Sequence, residues 1–189
     1  MEAVYTPPMS DRTPYLATQA SIPYEGLAPI PVSVLLDNVR SMYNVGSFFR
    51  TMDASGCERL YLSGITGRPP KNAITKTALG AEDTVPWTHT KNPGELVTDL
   101  RTQGYEIAAI ETSMHAVDLF DWQPRFPVCL LFGHEVDGLQ PDLLSRCDTH
   151  VRLPMLGRKH SLNVATAGGV VLYELLRKYR RMLENARIR

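Results

Sequence analysis

The sequence predicts an α/β protein built on a mostly parallel β-sheet with helices on both faces. Short, largely apolar runs alternate along the chain with longer segments of helical periodicity, a pattern typical of such sheets. Polar clusters follow the ends of three of these runs, where open α/β sheets bind their ligands. The length of 189 residues is enough for one well-buried core.

The chain divides into three parts by composition. Residues 1–30 contain five prolines and little periodicity, so we expect an extended N-terminal arm. Residues 31–182 form the predicted folded domain, and residues 183–189 form a basic C-terminal tail. Strands are predicted at 32–36, 59–62, 106–110, 128–132 and 149–153. Helices are predicted at 45–55, 93–103, 141–146 and 162–182.

The first predicted helix has one apolar stripe, with residues at i, i+3, i+4 and i+7: Val45, Phe48, Phe49 and Met52. Asn44 stands at a natural N-cap position before this stripe, and Gly56 follows it as a stop. Arg50 lies about 140° from Val45 around the helix, so it should point away from the core. Taken singly, Asn44 is explained equally well as a cap and Arg50 as a surface charge.

Composition is that of a soluble globular protein, with 43% hydrophobic and 21% charged residues. No apolar run approaches the roughly 20 residues of a membrane span, and the N-terminus lacks the features of a signal peptide. We therefore expect a cytoplasmic protein with no membrane partner. The three cysteines are odd in number and lack metal-type spacing, so we expect reduced thiols and no metal: Cys57, Cys129 and Cys147.

Charge is balanced overall but unevenly placed. A formal net charge of zero argues mildly against a general nucleic-acid binder. The last 13 residues nevertheless hold six basic groups and one acid, and four more basic residues cluster near residues 152–160: Arg152, Arg158, Lys159 and His160. Such a local surface can hold phosphates, although a solvated helix face explains the tail equally well.

The second and third polar clusters are rich in glycine. Gly133 follows the strand at 128–132, and Glu135 is either an exposed loop acid or a buried acceptor. The third cluster, at residues 161–163, precedes a helix with Gly168 and Gly169 in its interior. Each of these glycines costs about 1 kcal/mol relative to alanine, so a helix, a subunit or a ligand should approach closely there. The simpler interpretation of Ser161 is a helix cap.

In this order and spacing the clusters resemble the SpoU family of RNA ribose 2′-O-methyltransferases, within the SPOUT superfamily. The matching segments are Asn44-x-Gly46 through Arg50, FGHEVDGL at 132–139 and the segment at 152–174, with KTALGAEDTVPW from Lys76 as the middle segment. The resemblance covers roughly residues 30–180. No GxGxxG motif follows a strand, which argues against a dehydrogenase or a Rossmann-type methyltransferase.

The resemblance implies S-adenosylmethionine as methyl donor and a homodimer with its active site near the subunit interface. It also implies a C-terminal trefoil knot, which periodicity cannot predict because threaded chains are essentially absent from ordinary folds. By the same likeness, the donor would be held mainly by backbone around four positions: Ile110, Gly133, Leu153 and Leu162.

Five catalytic positions carry over from the family: Asn44, Arg50, Glu135, Ser161 and Asn163. The family assigns activation of the ribose hydroxyl to Arg50, but a guanidinium has a pKa above 12 and rarely loses a proton. We therefore expect Arg50 to grip the neighbouring phosphate and stabilise alkoxide charge. His134 departs from the small or amide residue of many relatives, and a neutral loop histidine is the simpler interpretation.

Two other functions stay open, and so does the RNA target. A knotted protein that binds RNA without catalysis, or a SPOUT enzyme that methylates a base, would share most of these residues. The intact Arg50, Glu135 and Asn163 favour the ribose methyltransferase. The choice between tRNA and rRNA is not made by any motif.

Overall fold

A computed structural model describes residues 28–187, and within them lies one seven-stranded sheet in which every strand pairing is parallel. The prediction of a mostly parallel α/β sheet is therefore confirmed. The strands are β1 (Ile30–Asp37), β2 (Cys57–Ser63), β3 (Trp87–Thr90), β4 (Glu106–Ile110), β5 (Val117–Asp118), β6 (Val128–Phe132) and β7 (Thr149–Arg152).

The strand order is β3-β2-β1-β6-β4-β7-β5. Val34 of β1 pairs with Leu60 of β2 on one side and with Leu130 of β6 on the other. All three side chains are fully buried, as expected for strands that are covered on both faces. Strands β1, β6, β4 and β7 are adjacent, so their carboxyl ends lie side by side at one edge of the sheet.

Helices cover both faces of the sheet. Within the described residues they are α1 (Met42–Ser55), α2 (Asn72–Ala78), α3 (Ala81–Thr84), α4 (Pro93–Thr102), α5 (Pro141–Leu144) and α6 (Val164–Arg187). Buried residues of α1 and α6 share one apolar cluster, which includes Phe48 and Leu172. Those of α4 and α5 belong to a second cluster, which includes Val97 and Leu143.

The ends of the two long helices differ from the prediction. Helix α1 begins at Met42, and Ser41 caps it by accepting a hydrogen bond from the Asn44 backbone N at 3.4 Å. The prediction of Asn44 as the cap is wrong, whereas Gly56 ends the helix as predicted, in the left-handed conformation. Helix α6 continues past Met182 to Arg187, so the first five residues of the predicted tail are helical.

Other differences concern short elements and the N-terminus. The sequence reading missed β3, β5, α2 and α3, which have two to seven residues and are too short to show a period. The predicted strands lengthen by one or two residues at some ends and end one residue early at Arg152. Apart from residues 28–30, the predicted N-terminal arm lies outside the described residues.

Close packing explains one of the two interior glycines of α6. A Cβ atom at Gly168 would overlap the ring of Phe48, so this glycine lets α6 approach α1. A Cβ at Gly169 would meet no described atom within 4 Å. The expected close approach is therefore confirmed at Gly168, and the neighbouring helix is α1.

None of the helices in residues 28–187 is long and apolar enough to cross a membrane. Cys57 and Cys129 are buried and Cys147 is half-buried. Burial raises the pKa of the Cys57 and Cys147 thiols to about 12, so both carry their protons at neutral pH.

Candidate active site

The three polar clusters meet at the carboxyl edge of the sheet. Glu135, just after β6, accepts hydrogen bonds from the backbone N of Arg40, the backbone N of Ser41 and the side-chain Nδ2 of Asn44. Each of these three distances is 3.0 Å. One carboxylate thus ties the loop after β6 to the start of α1.

The third cluster joins this network through a pair of amides. The Nδ2 of Asn163 donates to the Oδ1 of Asn44 at 3.1 Å. The Oδ1 of Asn163 accepts from the backbone N of Ala165 at 3.0 Å and of Thr166 at 3.2 Å. Asn163 is therefore the residue that caps α6, and the interpretation of Ser161 as the cap is wrong.

The Asn44 side chain is available for this role because Ser41 caps α1 in its place. Asn44 donates through its Nδ2 to Glu135 and accepts through its Oδ1 from Asn163. A relay of three side chains, Glu135, Asn44 and Asn163, therefore links the loops that follow β1, β6 and β7. We call these three residues the amide relay.

Hydrogen bonding outweighs burial in setting the pKa of Glu135. Burial by itself raises the pKa of Glu135, but the bonds from Arg40, Ser41 and Asn44 stabilise the ionised form. The net result is a pKa below the usual glutamate value. Glu135 is therefore an acceptor with a full negative charge at neutral pH.

The loop before α1 is braced by two residues that the sequence reading did not single out. Thr66 Oγ1 accepts from the Val39 backbone N and donates to the Leu36 carbonyl, both at 3.0 Å. Asn38 has a left-handed backbone (φ 58°), and its Oδ1 accepts from the Ile65 N at 3.2 Å. No sequence signal identifies Thr66, because its partners are about 30 residues away.

A cavity of about 330 Å³ opens beside the amide relay, within the usual size range of small-molecule sites. The sequence assigned four residues to donor binding, and all four line this cavity: Ile110, Gly133, Leu153 and Leu162. Ser161, Glu135 and Asn163 line it as well. Further lining residues were not assigned to donor binding from the sequence and include Glu111, Thr112 and His134.

One wall of the cavity depends on glycine. A Cβ atom at Gly133 would overlap the backbone of Gly138 and Leu139, so a larger residue would push the 133–139 turn open. The backbone of His134 pairs with that of Gly138 across this turn, at 3.1 and 2.9 Å. The turn is therefore a tight backbone wall, as expected where a ligand approaches the main chain closely.

His134 is held by its own turn. Its Nδ1 accepts hydrogen bonds from the backbone N of Val136 at 3.3 Å and of Asp137 at 3.2 Å. The Asp137 carboxylate lies 3.0 Å from the same nitrogen, so contacts within the turn fix the position of the ring.

Arg50 lies apart from the other four predicted catalytic residues. It is exposed on α1, as predicted, and it does not line the cavity of its own chain. It makes no hydrogen bond or ion pair with any other described residue. Its guanidinium is thus available to a partner from outside residues 28–187, such as a phosphate.

The basic residues near the cavity divide into paired and exposed groups. Arg152 forms an ion pair with Asp118 at 2.5 Å. Arg158, Lys159 and His160 are exposed on the loop before α6. This loop is therefore a local positive surface beside the cavity mouth.

A second cavity of about 620 Å³ lies beside α4 and α5. Its charged residues include both signs, and Arg146 pairs with Asp142 at 3.2 Å within it. It shares no lining residue with the first cavity. Its larger size therefore does not make it the better candidate, because the amide relay and the converging glycine turn lie at the first.

The chain is similar to proteins of a known family. The model of the SpoU rRNA Methylase family matches residues 31–173. A Staphylococcus haemolyticus protein assigned to the TrmH family of tRNA/rRNA methyltransferases is 30% identical over 162 residues, which are 86% of this chain and 64% of that protein. The chain thus spans under two thirds of this relative's length.

Two solved structures are similar as well. The AdoMet-bound rRNA methyltransferase of Sinorhizobium meliloti is 31% identical with a TM-score of 0.72, over 80% of this chain and 56% of that one. A structure described as giving insight into 2-OH methylation of C/U34 on tRNA is 27% identical with a TM-score of 0.69. That similarity covers 78% of this chain and 95% of the other.

Proposed function

The chain belongs to the SpoU methylase family, and from this we propose that it transfers a methyl group from S-adenosylmethionine to a ribose 2′-hydroxyl of tRNA or rRNA. The observation that carries the proposal is the amide relay at the mouth of a cavity lined by all four expected donor-binding residues. The proposal assigns the protein to the cytoplasm, together with its RNA.

The donor fits the lining of the cavity. The partly exposed apolar residues Ile110 and Leu153 line the cavity and would pack against an adenine ring. Backbone at Ile110, Gly133, Leu153 and Leu162 would hold the rest of the molecule, and the close packing of Gly133 against Gly138 and Leu139 fixes the turn that presents part of that backbone. When bound, S-adenosylmethionine supplies an electrophilic methyl group on a sulfonium centre.

The chain's own residues position the acceptor. Glu135, Asn44 and Asn163 hold the starts of α1 and α6 in one arrangement, and Ser161 and Asn163 are polar groups at the mouth that can orient a ribose. Arg50 grips the phosphate beside that ribose and stabilises the charge that develops on the 2′-oxygen. The hydroxyl proton leaves to the phosphate or to solvent, because a guanidinium does not normally accept it.

We further propose a homodimer with the active site near the interface. Helix α6 exposes Val170 and Tyr173, 40% and 51% accessible, on the side away from its own core. The open space at Gly169 lies beside them. A second copy would cover this apolar surface, and sedimentation equilibrium should return twice the chain mass of 21.1 kDa.

The proposed trefoil knot is supported by strand order. β7 lies between β4 and β5, yet β4 and β5 are consecutive in the chain and joined by residues 111–116. The later strand thus occupies the gap that the earlier connection spans. If the chain is threaded there, a circularised protein will stay more compact under denaturing conditions than an unthreaded circular control.

The experiment that tests the function uses labelled S-adenosylmethionine and total RNA. After complete digestion, label should appear in 2′-O-methylated nucleosides. Label in a methylated base would instead select a base methyltransferase, and RNA binding without label would indicate a non-catalytic knotted protein. Mapping ribose methylation in cells with and without the protein would identify the target RNA.

Replacement of Arg50 tests the assigned mechanism. Arg50→Ala should abolish turnover while affinity for S-adenosylhomocysteine, measured by calorimetry, stays within about twofold, because Arg50 lies outside the donor cavity. Arg50→Lys should recover only part of the turnover, since lysine keeps the charge but lacks the bidentate fork. Comparable turnover in Arg50→Ala would remove Arg50 from the mechanism.

A further inference from the structure

A second carboxylate borders the donor cavity and has no part in the transfer chemistry described above. Glu111 directly follows β4, is half-buried and lines the same cavity as Gly133 and Leu153. The resemblance to the family assigns it no role. Its position between the strand end and the 133–139 turn calls for a physical explanation.

The carboxylate is fixed on two sides by backbone. Its Oε1 accepts from the Thr112 N at 3.1 Å, and its Oε2 accepts from the Leu139 N at 3.3 Å. Oε2 also packs against Gly138, where a Cβ atom would overlap it. Glu111 therefore has a defined orientation between the two loops that line the cavity, which is the requirement for a specific ligand contact.

Each oxygen has acceptor capacity left. A carboxylate offers about four lone-pair sites, and the backbone contacts use one on each oxygen. Two neighbouring acceptors beside a small-molecule cavity suit a pair of adjacent hydroxyl groups. Glu135 cannot serve in this way, because Arg40, Ser41 and Asn44 already occupy it with three hydrogen bonds.

We propose that Glu111 binds the 2′- and 3′-hydroxyls of the donor's own ribose. This inference rests on the proposed function. The apolar lining of the cavity near Glu111 includes the partly exposed Ile110 and Leu153 and suits adenine, and the ribose is the group bonded directly to adenine. An acidic residue performs the same task in dinucleotide-binding sheets, where it accepts from a ribose hydroxyl.

Calorimetry with three ligands tests the proposal in the full-length protein: S-adenosylhomocysteine, its 2′,3′-dideoxy analogue and methylthioadenosine. The wild type should bind S-adenosylhomocysteine roughly 10- to 100-fold more tightly than the dideoxy analogue, as expected for hydrogen bonds to a charged group. Glu111→Gln should lose most of this preference. The same substitution should also weaken the binding of methylthioadenosine, which keeps the ribose hydroxyls but lacks the amino acid part.

The outcomes separate ribose binding from other roles of Glu111. If Glu111→Gln weakens the binding of the dideoxy analogue as much as the binding of S-adenosylhomocysteine, the residue only braces the turn and the proposal is wrong. If methylthioadenosine is unaffected, Glu111 binds the amino group and the proposal also falls. Glu184→Gln, near the exposed end of α6, is the matched control and should leave all three affinities unchanged.

The test also distinguishes failure of this inference from failure of the proposed function. If the wild-type protein methylates RNA but binds S-adenosylhomocysteine and its dideoxy analogue equally well, only the role of Glu111 is wrong. Wild-type protein that does not bind S-adenosylhomocysteine would overturn both. The two affinities of the wild-type protein test the contribution of the ribose hydroxyls without any variant. The proposal can therefore be rejected even if Glu111→Gln folds poorly.

Discussion

Asn44 shows how one side chain serves two loops at the site. The sequence indicated a polar residue at a helix start, where capping and function were equally good explanations. Ser41 takes the capping role, so both ends of the Asn44 amide are available to Glu135 and Asn163. Asn163 combines both roles, because it caps α6 with its Oδ1 and binds Asn44 with its Nδ2.

Glu135→Gln tests the amide relay. Glutamine keeps one acceptor oxygen but turns an NH₂ group toward donors, so the contact to Asn44 or to the loop N–H groups should weaken. We expect turnover to fall about tenfold, since a hydrogen bond to a charged group contributes about 1.5 kcal/mol or more and 1.36 kcal/mol corresponds to tenfold in rate. Asp137→Asn in the same turn is the control for steady-state assays; an equal loss in both variants would contradict the relay.

The pKa of Glu135 predicts an acid dependence with a definite sign. Because the folded protein lowers this pKa, ionised Glu135 contributes stability above the unfolded glutamate value of about 4.3. That contribution is lost as the pH falls through the lower folded value. Denaturant unfolding at pH 7 and pH 3 should therefore show a smaller drop in the free energy of unfolding for Glu135→Gln than for the wild type. An equal drop would mean that the charge of Glu135 is not stabilised in the fold.

The packing of α1 against α6 is the element-scale feature that forms the site. The two helices begin beside each other at the amide relay and continue as neighbours, and Gly168 of α6 faces the Phe48 ring of α1. The sequence predicted a close approach at Gly168 and Gly169 without saying which surface would make it. Within residues 28–187, that surface is the ring of Phe48.

Alanine at these two glycines should have opposite effects. Gly168→Ala should destabilise the fold by about 1–3 kcal/mol, because its methyl group overlaps a buried ring. Gly169→Ala should stabilise it by up to about 1 kcal/mol, since nothing described lies within 4 Å and alanine is the better helix former. Chemical denaturation at one protein concentration measures both. A destabilising Gly169→Ala would show that another surface, such as a second copy, meets α6 there.

Element type was predictable wherever the pattern was long or strongly apolar. The strands at 106–110 and 128–132 match β4 and β6 residue for residue, because each contains an unbroken run of four or five apolar residues that ends directly before Glu111 or Gly133. β3 and β5 lack such runs, since they pair at or near the sheet edges with partly exposed residues. Backbone pairing to β2 and β7 makes these segments strands, although their own residues show no strand pattern.

At the scale of the whole molecule, Lys178 joins the C-terminal helix to the segment after β5. Its side chain is 8% exposed, and its ammonium donates to the carbonyls of Leu119, Phe120 and Trp122 while lying 3.6 Å from Glu174. The sequence presented Lys178 only as one of six basic groups among the last 13 residues. The fold instead uses it to satisfy carbonyls of a segment about 60 residues earlier.

Lys178→Met should therefore destabilise the protein although methionine has a similar length. It leaves the partly buried carbonyls without their donor, at a cost of about 1–3 kcal/mol. Arg181→Met, on the exposed surface one turn later, should stay within about 0.5 kcal/mol of the wild type. Urea unfolding at a fixed protein concentration gives the comparison, and similar values for both variants would exclude the bridging role.

The sequence by itself determined the α/β class, the parallel sheet and the residues that gather at its carboxyl edge, because these follow from local periodicity and from the direction of parallel strands. It also supplied the family, through motifs that keep their order and spacing. Only the tertiary structure decided which polar groups pair across the site and which carboxylate remains available in the cavity. Those choices depend on contacts between residues from about 30 to 120 positions apart, such as Thr66 with Val39 and Asn163 with Asn44, and local pattern carries no information about them.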